Sequence, residues 1–384
     1  MEWKIPLFDP DIGEPEITAV TDVLRSKWLT MGDKTAQFER EFGAIVGVPH
    51  ALAMNSATAA MHVALMALDI GPGDEVVVPS LTFVATANAV RYCGARPVFA
   101  DIESYDNWNI GAARIEAVLT PATKAILVVH YGGFPCDMPR IMALARARKV
   151  AVVEDAAHAP GAALNGIAMG AWGDVGCFSF FSNKNITTAE GGMLTTARQD
   201  VADRARKMRS HGMTTLTLDR HKGHAFDYDV TELGYNYRMS ELNAALGLAQ
   251  LERLSEGNAR RADLVERYRA SLARVPGLAV PFSRFSGVSS HHLMPVLLPS
   301  DVNRSDVMAR MKNLGVQTSI HYRPIDTFSA YVAAGLGPSD RLPLTHDVGA
   351  RMLTLPLYPS MGAEQIDYVC ASLAEAVGRA ARAA

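Results

Sequence analysis

No apolar run in this chain of 384 residues is long enough to cross a bilayer as a helix. The longest apolar-rich stretch, Ala59 to Ile70, is too short and is broken by His62 and Asp69. A bias in charge is also missing. Thirty-seven Lys and Arg stand against 40 Asp and Glu, a net charge of −3, which gives no overall electrostatic footprint for nucleic acid or an anionic membrane. Cysteine is scarce: Cys93, Cys136, Cys177 and Cys370 match no close zinc spacing and read as buried thiols in a reducing compartment. Neither a GxGxxG pattern nor a GxxxxGKS/T loop occurs, so a dinucleotide fingerprint or a P-loop has no support. There is no internal repeat and no low-complexity linker. The opening MEWKIPLFDPDIG has no long apolar core after its lysine, so a cytoplasmic protein is expected.

What is present is an ordinary globular composition, 49% apolar and 20% charged, over a length that favours two domains. Apolar spacing predicts helices at about 13–26, 35–46, 58–68, 83–92, 110–118 and 137–147. Strands are expected at 75–79, 96–100, 125–130, 149–153, 175–181 and 192–196. Short apolar runs alternating with amphipathic helices imply an α/β fold, a mostly parallel sheet covered on both faces. A helix at 240–254 starts with Ser240 and has Asn243 where a capping box prefers Glu. Beyond it the order changes: a helix at 257–273, strand-like 292–299, a helix at 303–313, strand-like 316–322 and a closing helix near 363–380. The expected division is a large unit over 1–250 and a smaller α+β unit over 251–384.

Four segments carry chemistry. VVEDAAHAPGA (152–162) brings Glu154 and Asp155 to the C-terminal end of a strand, where open α/β sheets place ligands. FSFFSNKNITTAEGGM (178–193) sets Lys184 in a polar turn between two apolar segments. MNSATAAMH (54–62) leads small hydroxyl residues into a helix start, whose free N–H groups suit a phosphate. TELGYNYRMSELNAALG (231–247) runs from a polar loop into a helix. Taken singly, each residue has an ordinary explanation. Lys184 is a surface lysine, Asp155 caps the following AAHA, and Ser56 and Thr58 cap a helix. His158, Phe83 and Asn236 are packing or loop residues. Together they compose a different site. A lysine amine can form a Schiff base with an aldehyde cofactor, an aspartate can hold a pyridine nitrogen protonated, and a helix start can anchor a phosphate.

These motifs, from DIGEPEITAVTDVLRSKWLTMG through LTLPLYPSM at 353–361, resemble the DegT/DnrJ/EryC1/StrS sugar aminotransferases. The resemblance implies fold type I among enzymes dependent on pyridoxal 5'-phosphate (PLP), with Lys184 as the Schiff-base lysine and proton shuttle. It implies Asp155 at the pyridine nitrogen, His158 near the ring and its 3-hydroxyl, and Phe83 stacked on the opposite ring face. Ala57, Thr58 and Ser179 would cradle the phosphate, and Asn236 would reach it from the other subunit of an obligate homodimer. The implied reaction is a ping-pong transfer from L-glutamate to a keto sugar carried on a nucleoside diphosphate. A keto-cyclitol acceptor with glutamine or glutamate as donor, or a silent PLP-binding regulator, are the other readings. Related dehydratases carry histidine at the position of Lys184, which sets that activity aside.

Two positions depart from the family pattern. Ala57 replaces a usual glycine, so a slightly altered turn at the cradle is expected. Asp326, in HYRPIDTF, replaces a frequent histidine and is expected to bear on substrate binding.

Overall fold

The computed structural model describes residues 3–215 and 227–381. Its centre is a seven-stranded sheet in the order β1-β9-β8-β5-β4-β2-β3. The strands are β1 (His50–Met54), β2 (Glu75–Pro79), β3 (Arg96–Ala100), β4 (Thr123–Val129), β5 (Ala151–Asp155), β8 (Val175–Ser179) and β9 (Gly192–Thr196). A two-residue hairpin, β6 (Ala163–Leu164) with β7 (Ile167–Ala168), stands apart. Strand β9 is antiparallel to both neighbours, and the other adjacent pairs, β8 through β3, are parallel.

Alternate side chains of each strand enter different cores, as a period of two requires. Val76, Val78, Leu127 and Val153 join a core with the helices α3 (Ala57–Ala67), α4 (Ala85–Tyr92) and α7 (Gln199–Met208). Val77, Ile126, Val128 and Val152 point into another with α2 (Asp33–Val46), α5 (Ala112–Glu116), α6 (Met138–Arg148) and α8 (Glu241–Glu252). All eight strand residues are fully buried, which is why these strands read as continuous apolar runs rather than alternating ones. Helix α1 (Glu14–Ser26) packs on α8.

A separate core gathers residues from α9 (Leu254–Leu272), β10 (Met294–Leu297), α10 (Arg304–Asn313), β11 (Met352–Leu355) and α13 (Ala363–Ala381). Between these lie α11 (Ser329–Val332) and α12 (Pro343–Arg351). Ile5, from the start of the chain, completes this core and forms a parallel bridge to Val316.

Most expected elements form within two or three residues of their anticipated limits. β1, α7, α12 and β11 lie where no element was expected. The strand-like run 316–322 is not a strand: it pairs only through single bridges, Val316 to Ile5 and Ser319 to Thr354. At α8 the Ser240 hydroxyl accepts from Asn243 N–H at 3.3 Å, but Asn243 does not return the bond to the Ser240 backbone. Its amide donates instead to the Thr188 carbonyl at 2.5 Å, tying the helix start to the loop that carries Lys184.

Candidate active site

The C-terminal ends of β5 and β8 and the start of α3 surround a cavity of about 390 Å³. Strand alternation separates the two acidic residues of β5. Glu154 turns into the protein, where it accepts backbone N–H bonds from Gly170, Trp172 and Gly173, each at 2.8 Å, and pairs with His130 at 2.9 Å. It is a clamp for the 170–173 loop. Asp155 turns to the cavity. Thr86 Oγ1 donates to its Oδ2 at 2.8 Å and Ala157 N–H to its Oδ1 at 3.1 Å. Burial raises the Asp155 carboxyl above its ordinary value, while those two bonds and the nearby Lys184 pull the other way. A buried carboxylate in this position favours a cationic partner.

Lys184 sits in the loop between β8 and β9, held by its own N–H to Phe181 O at 2.9 Å and by Thr188 N–H to Phe180 O at 2.8 Å. Burial brings its amine down from 10.5 to about 8, with Asp155 opposing. A neutral amine, the nucleophilic form, is therefore accessible near physiological pH. Nζ lies 3.4 Å from His292 Nε2.

The third part is the start of α3. Ser56 is extended (φ −166°) and its hydroxyl accepts Ala59 N–H at 3.1 Å. Ala57 and Thr58 follow in the first turn, where backbone N–H groups have no intrahelical acceptor. Ala57 does not take positive φ, so the alanine fits with no altered turn. The close approach falls elsewhere: a Cβ on Gly192 would lie 2.5 Å from Ala57 N. Ser179, ending β8, lines the same cavity.

His158 and Phe83 are also on its wall. His158 Nδ1 accepts Gly132 N–H at 3.2 Å, which leaves the proton on Nε2 to donate to the Tyr322 hydroxyl at 3.0 Å. Tyr322 can then turn its own O–H toward a ligand. Phe83 is 55% exposed, and its ring centre is 5.9 Å from that of Tyr322. The large exposed ring is the apolar platform that a flat ligand would cover.

Asn236 is expected to act from the other subunit, not in its own chain's cavity. Asn236 is exposed and does not line the cavity; only its carbonyl is engaged, by Asn55 at 3.3 Å. Asp326, expected to bear on substrate binding, lies away from this cavity. It is fully buried, accepts Ser80 Oγ–H at 2.5 Å and meets His346 Nε2 at 2.7 Å, and it does not face the cavity. It fastens the 325–327 turn to the end of β2. Sequence reasoning missed Tyr322, His321 and His292. The HYRP and HHL strings were visible, but nothing local said that packing against Tyr131 and Phe134 would bring them to Lys184.

The residues present fit PLP: an amine for the aldehyde, a buried carboxylate for the ring nitrogen, helix-start N–H groups for the phosphate. Residues 10–374 match the family described as DegT/DnrJ/EryC1/StrS aminotransferases. The chain belongs to that family. It is 41% identical over 379 residues to the spore coat polysaccharide biosynthesis protein SpsC of Bacillus subtilis, covering 97% of each chain. Spr1654 of Streptococcus pneumoniae, in its PLP form, is 30% identical with a TM-score of 0.91, over 98% of this chain and 99% of that one. DesI, solved in the presence of its TDP-sugar product, is 30% identical with a TM-score of 0.88, over 100% of this chain and 95% of that one. This family member is thus a fold type I, PLP-dependent sugar aminotransferase. Among the described residues no helix is long and apolar enough to cross a membrane.

Proposed function

We propose that the protein moves an amino group from L-glutamate to a keto sugar linked to a nucleoside diphosphate. The observation that carries this is the convergence of the Lys184 amine, the Asp155 carboxylate and the first turn of α3 on one cavity. The relatives named above support the acceptor class.

In this reading Ala57, Thr58 and Ser179 hold the phosphate, Asp155 keeps a proton on the ring nitrogen, and Phe83 and His158 bracket the ring. When bound, PLP supplies an aldehyde for amine exchange and a ring that draws electrons from the carbon bearing nitrogen. With PLP bound, Lys184 Nζ would take the proton from that carbon of glutamate and hand it to the cofactor's former aldehyde carbon, and would run the same transfer in reverse, from cofactor to sugar carbon, in the second half. The overall exchange balances: the keto acid and the amino sugar replace the amino acid and the keto sugar. Asn236 acts from a second copy of the chain. Its exposure, and its absence from the lining of its own cavity, support a homodimer with composite sites. The unit division near residue 250 belongs to this reading, supported by the separate core around α9, β10 and α13. The four buried free cysteines fit a cytoplasmic setting.

The test supplies PLP-loaded protein with L-glutamate and a panel of keto sugars linked to nucleoside diphosphates. The expected result is 2-oxoglutarate and amino sugar in equal amounts. Turnover confined to keto-cyclitols, or dependent on glutamine alone, would overturn the reading.

A further inference from the structure

Behind Lys184 runs a line of side chains whose hydrogen-bond directions are fixed at its far end by backbone carbonyls. Asn258, on α9, donates Nδ2–H to Pro160 O at 2.9 Å, which leaves its Oδ1 to face Asn185. Asn185 Nδ2 donates to that oxygen and to Ser290 O, each at 2.7 Å. A carbonyl can only accept, so the Asn185 amide has one orientation, with Oδ1 turned to His292 Nδ1 at 3.0 Å. The proton of His292 is therefore on Nδ1. Nε2 carries a lone pair, aimed at Lys184 Nζ at 3.4 Å.

We infer that His292 is a positioning residue for Lys184: its neutral imidazole accepts one N–H of the amine and leaves the amine lone pair facing the cavity. The inference rests on Lys184 being the reacting amine. Among the described residues His292 is the side chain that hydrogen-bonds Nζ. The other titratable groups around the pair are Asp155 at the end of β5, His158, His321 with Tyr322, and Arg261 of α9. Burial, then Lys184, His158, Arg261 and His321, all hold His292 in its neutral form. A protonated ring could not accept the bond. The His158 and His292 rings lie 4.4 Å apart, so the arrangement also needs both to be uncharged.

The test uses two variants that split the imidazole. His292→Asn keeps a polar group near Asn185 and lacks the acceptor at the Nε2 position; His292→Gln places an amide there. Acylation of Lys184 in PLP-free protein, read by mass spectrometry against pH, reports its amine directly. Loss of the acceptor destabilises the ammonium, so His292→Asn is expected to lower the midpoint by about one pH unit. It is also expected to reduce kcat about tenfold with little change in KM for glutamate, and His292→Gln to restore most of both. Asn185→Ala, which leaves His292 without its fixed tautomer, shifts the midpoint the same way and carries the test if the His292 variants do not fold. An unchanged midpoint in His292→Asn, or equal behaviour of the Asn and Gln variants, overturns the inference. Borohydride fixation of PLP on wild-type protein separates the two failures: label absent from Lys184 sinks the proposed function, whatever the midpoints show.

Discussion

Gly192 in β9 passes so close to Ala57 that a single added carbon would lie 2.5 Å from the Ala57 nitrogen and 2.4 Å from the Ser56 carbonyl carbon. Both neighbours are backbone, so neither can swing aside. Gly192→Ala is therefore expected to displace the first turn of α3. PLP affinity should fall at least tenfold, read by fluorescence titration, with a smaller loss in thermal stability. Retained wild-type affinity would show that the first turn is not the phosphate anchor.

Asp155 differs from Glu154, one position earlier, in what its charge does. Asp155→Asn keeps the size and a hydrogen-bonding side chain but removes the charge that holds a proton on a ring nitrogen. Turnover is expected to fall about 10²–10³-fold, the usual scale for losing one electrostatic group at a reacting centre. Circular dichroism should show an intact fold, and steady-state kinetics measures the loss.

Lys184→Ala is expected to abolish multiple turnover while PLP still binds non-covalently. In the wild-type PLP-free protein the amine is deprotonated above about 8, so its acylation rate should rise with pH and level off beyond that point. A midpoint near 10.5 would mean that the loop does not bury the amine.

A purely structural prediction concerns Glu241. Its carboxylate sits at the start of α2 and accepts N–H bonds from Gly32, Lys34 and Thr35 at 2.8 Å and the Thr35 hydroxyl at 2.6 Å. It ties α2 to α8. Glu241→Ala orphans these donors and is expected to cost about 2–4 kcal/mol, measurable by urea denaturation.

Acid should weaken the fold before it touches ordinary carboxylates. Burial, with nearby positive groups, depresses His291 and His321 from 6.5 to about 4, and His158 and His292 lie well below 6.5 for the same reason. The unfolded chain binds more protons than the folded one between those values. Stability is therefore complete above about 6.5 and declines as pH falls toward 4. Urea midpoints measured across that range test this, and a flat profile would contradict it.

The sheet strands and the chemistry on them were legible because β2, β4 and β5 are short apolar runs and because Asp155, Lys184 and Ser56–Thr58 are close in sequence to strand ends. β1 was not, since HALAM has the composition of a helix and becomes a strand only by pairing with β9 far along the chain. The same limit hid His292 and Tyr322. They reach the cavity through packing against the distant 131–134 segment, where His292 N–H donates to Gly132 O at 2.9 Å and Tyr322 joins Tyr131 and Phe134, and local spacing carries no trace of that. Asp326 shows another limit: a departure from a family pattern drew attention to substrate binding, and spacing gave no sign of its burial against Ser80 and His346.

Ile5 hands its carbonyl to Gln317 N–H at 3.0 Å and takes its own partner from the Gly315 carbonyl at 3.1 Å. Ile5 thus waits for a mate made roughly three hundred residues later, about 15–60 s at ordinary rates of synthesis. During that interval the nascent segment around Ile5 has an unpaired edge and a bare isoleucine. Deleting the first eight residues should therefore be felt chiefly at the far end of the chain, in the packing of its last-made core.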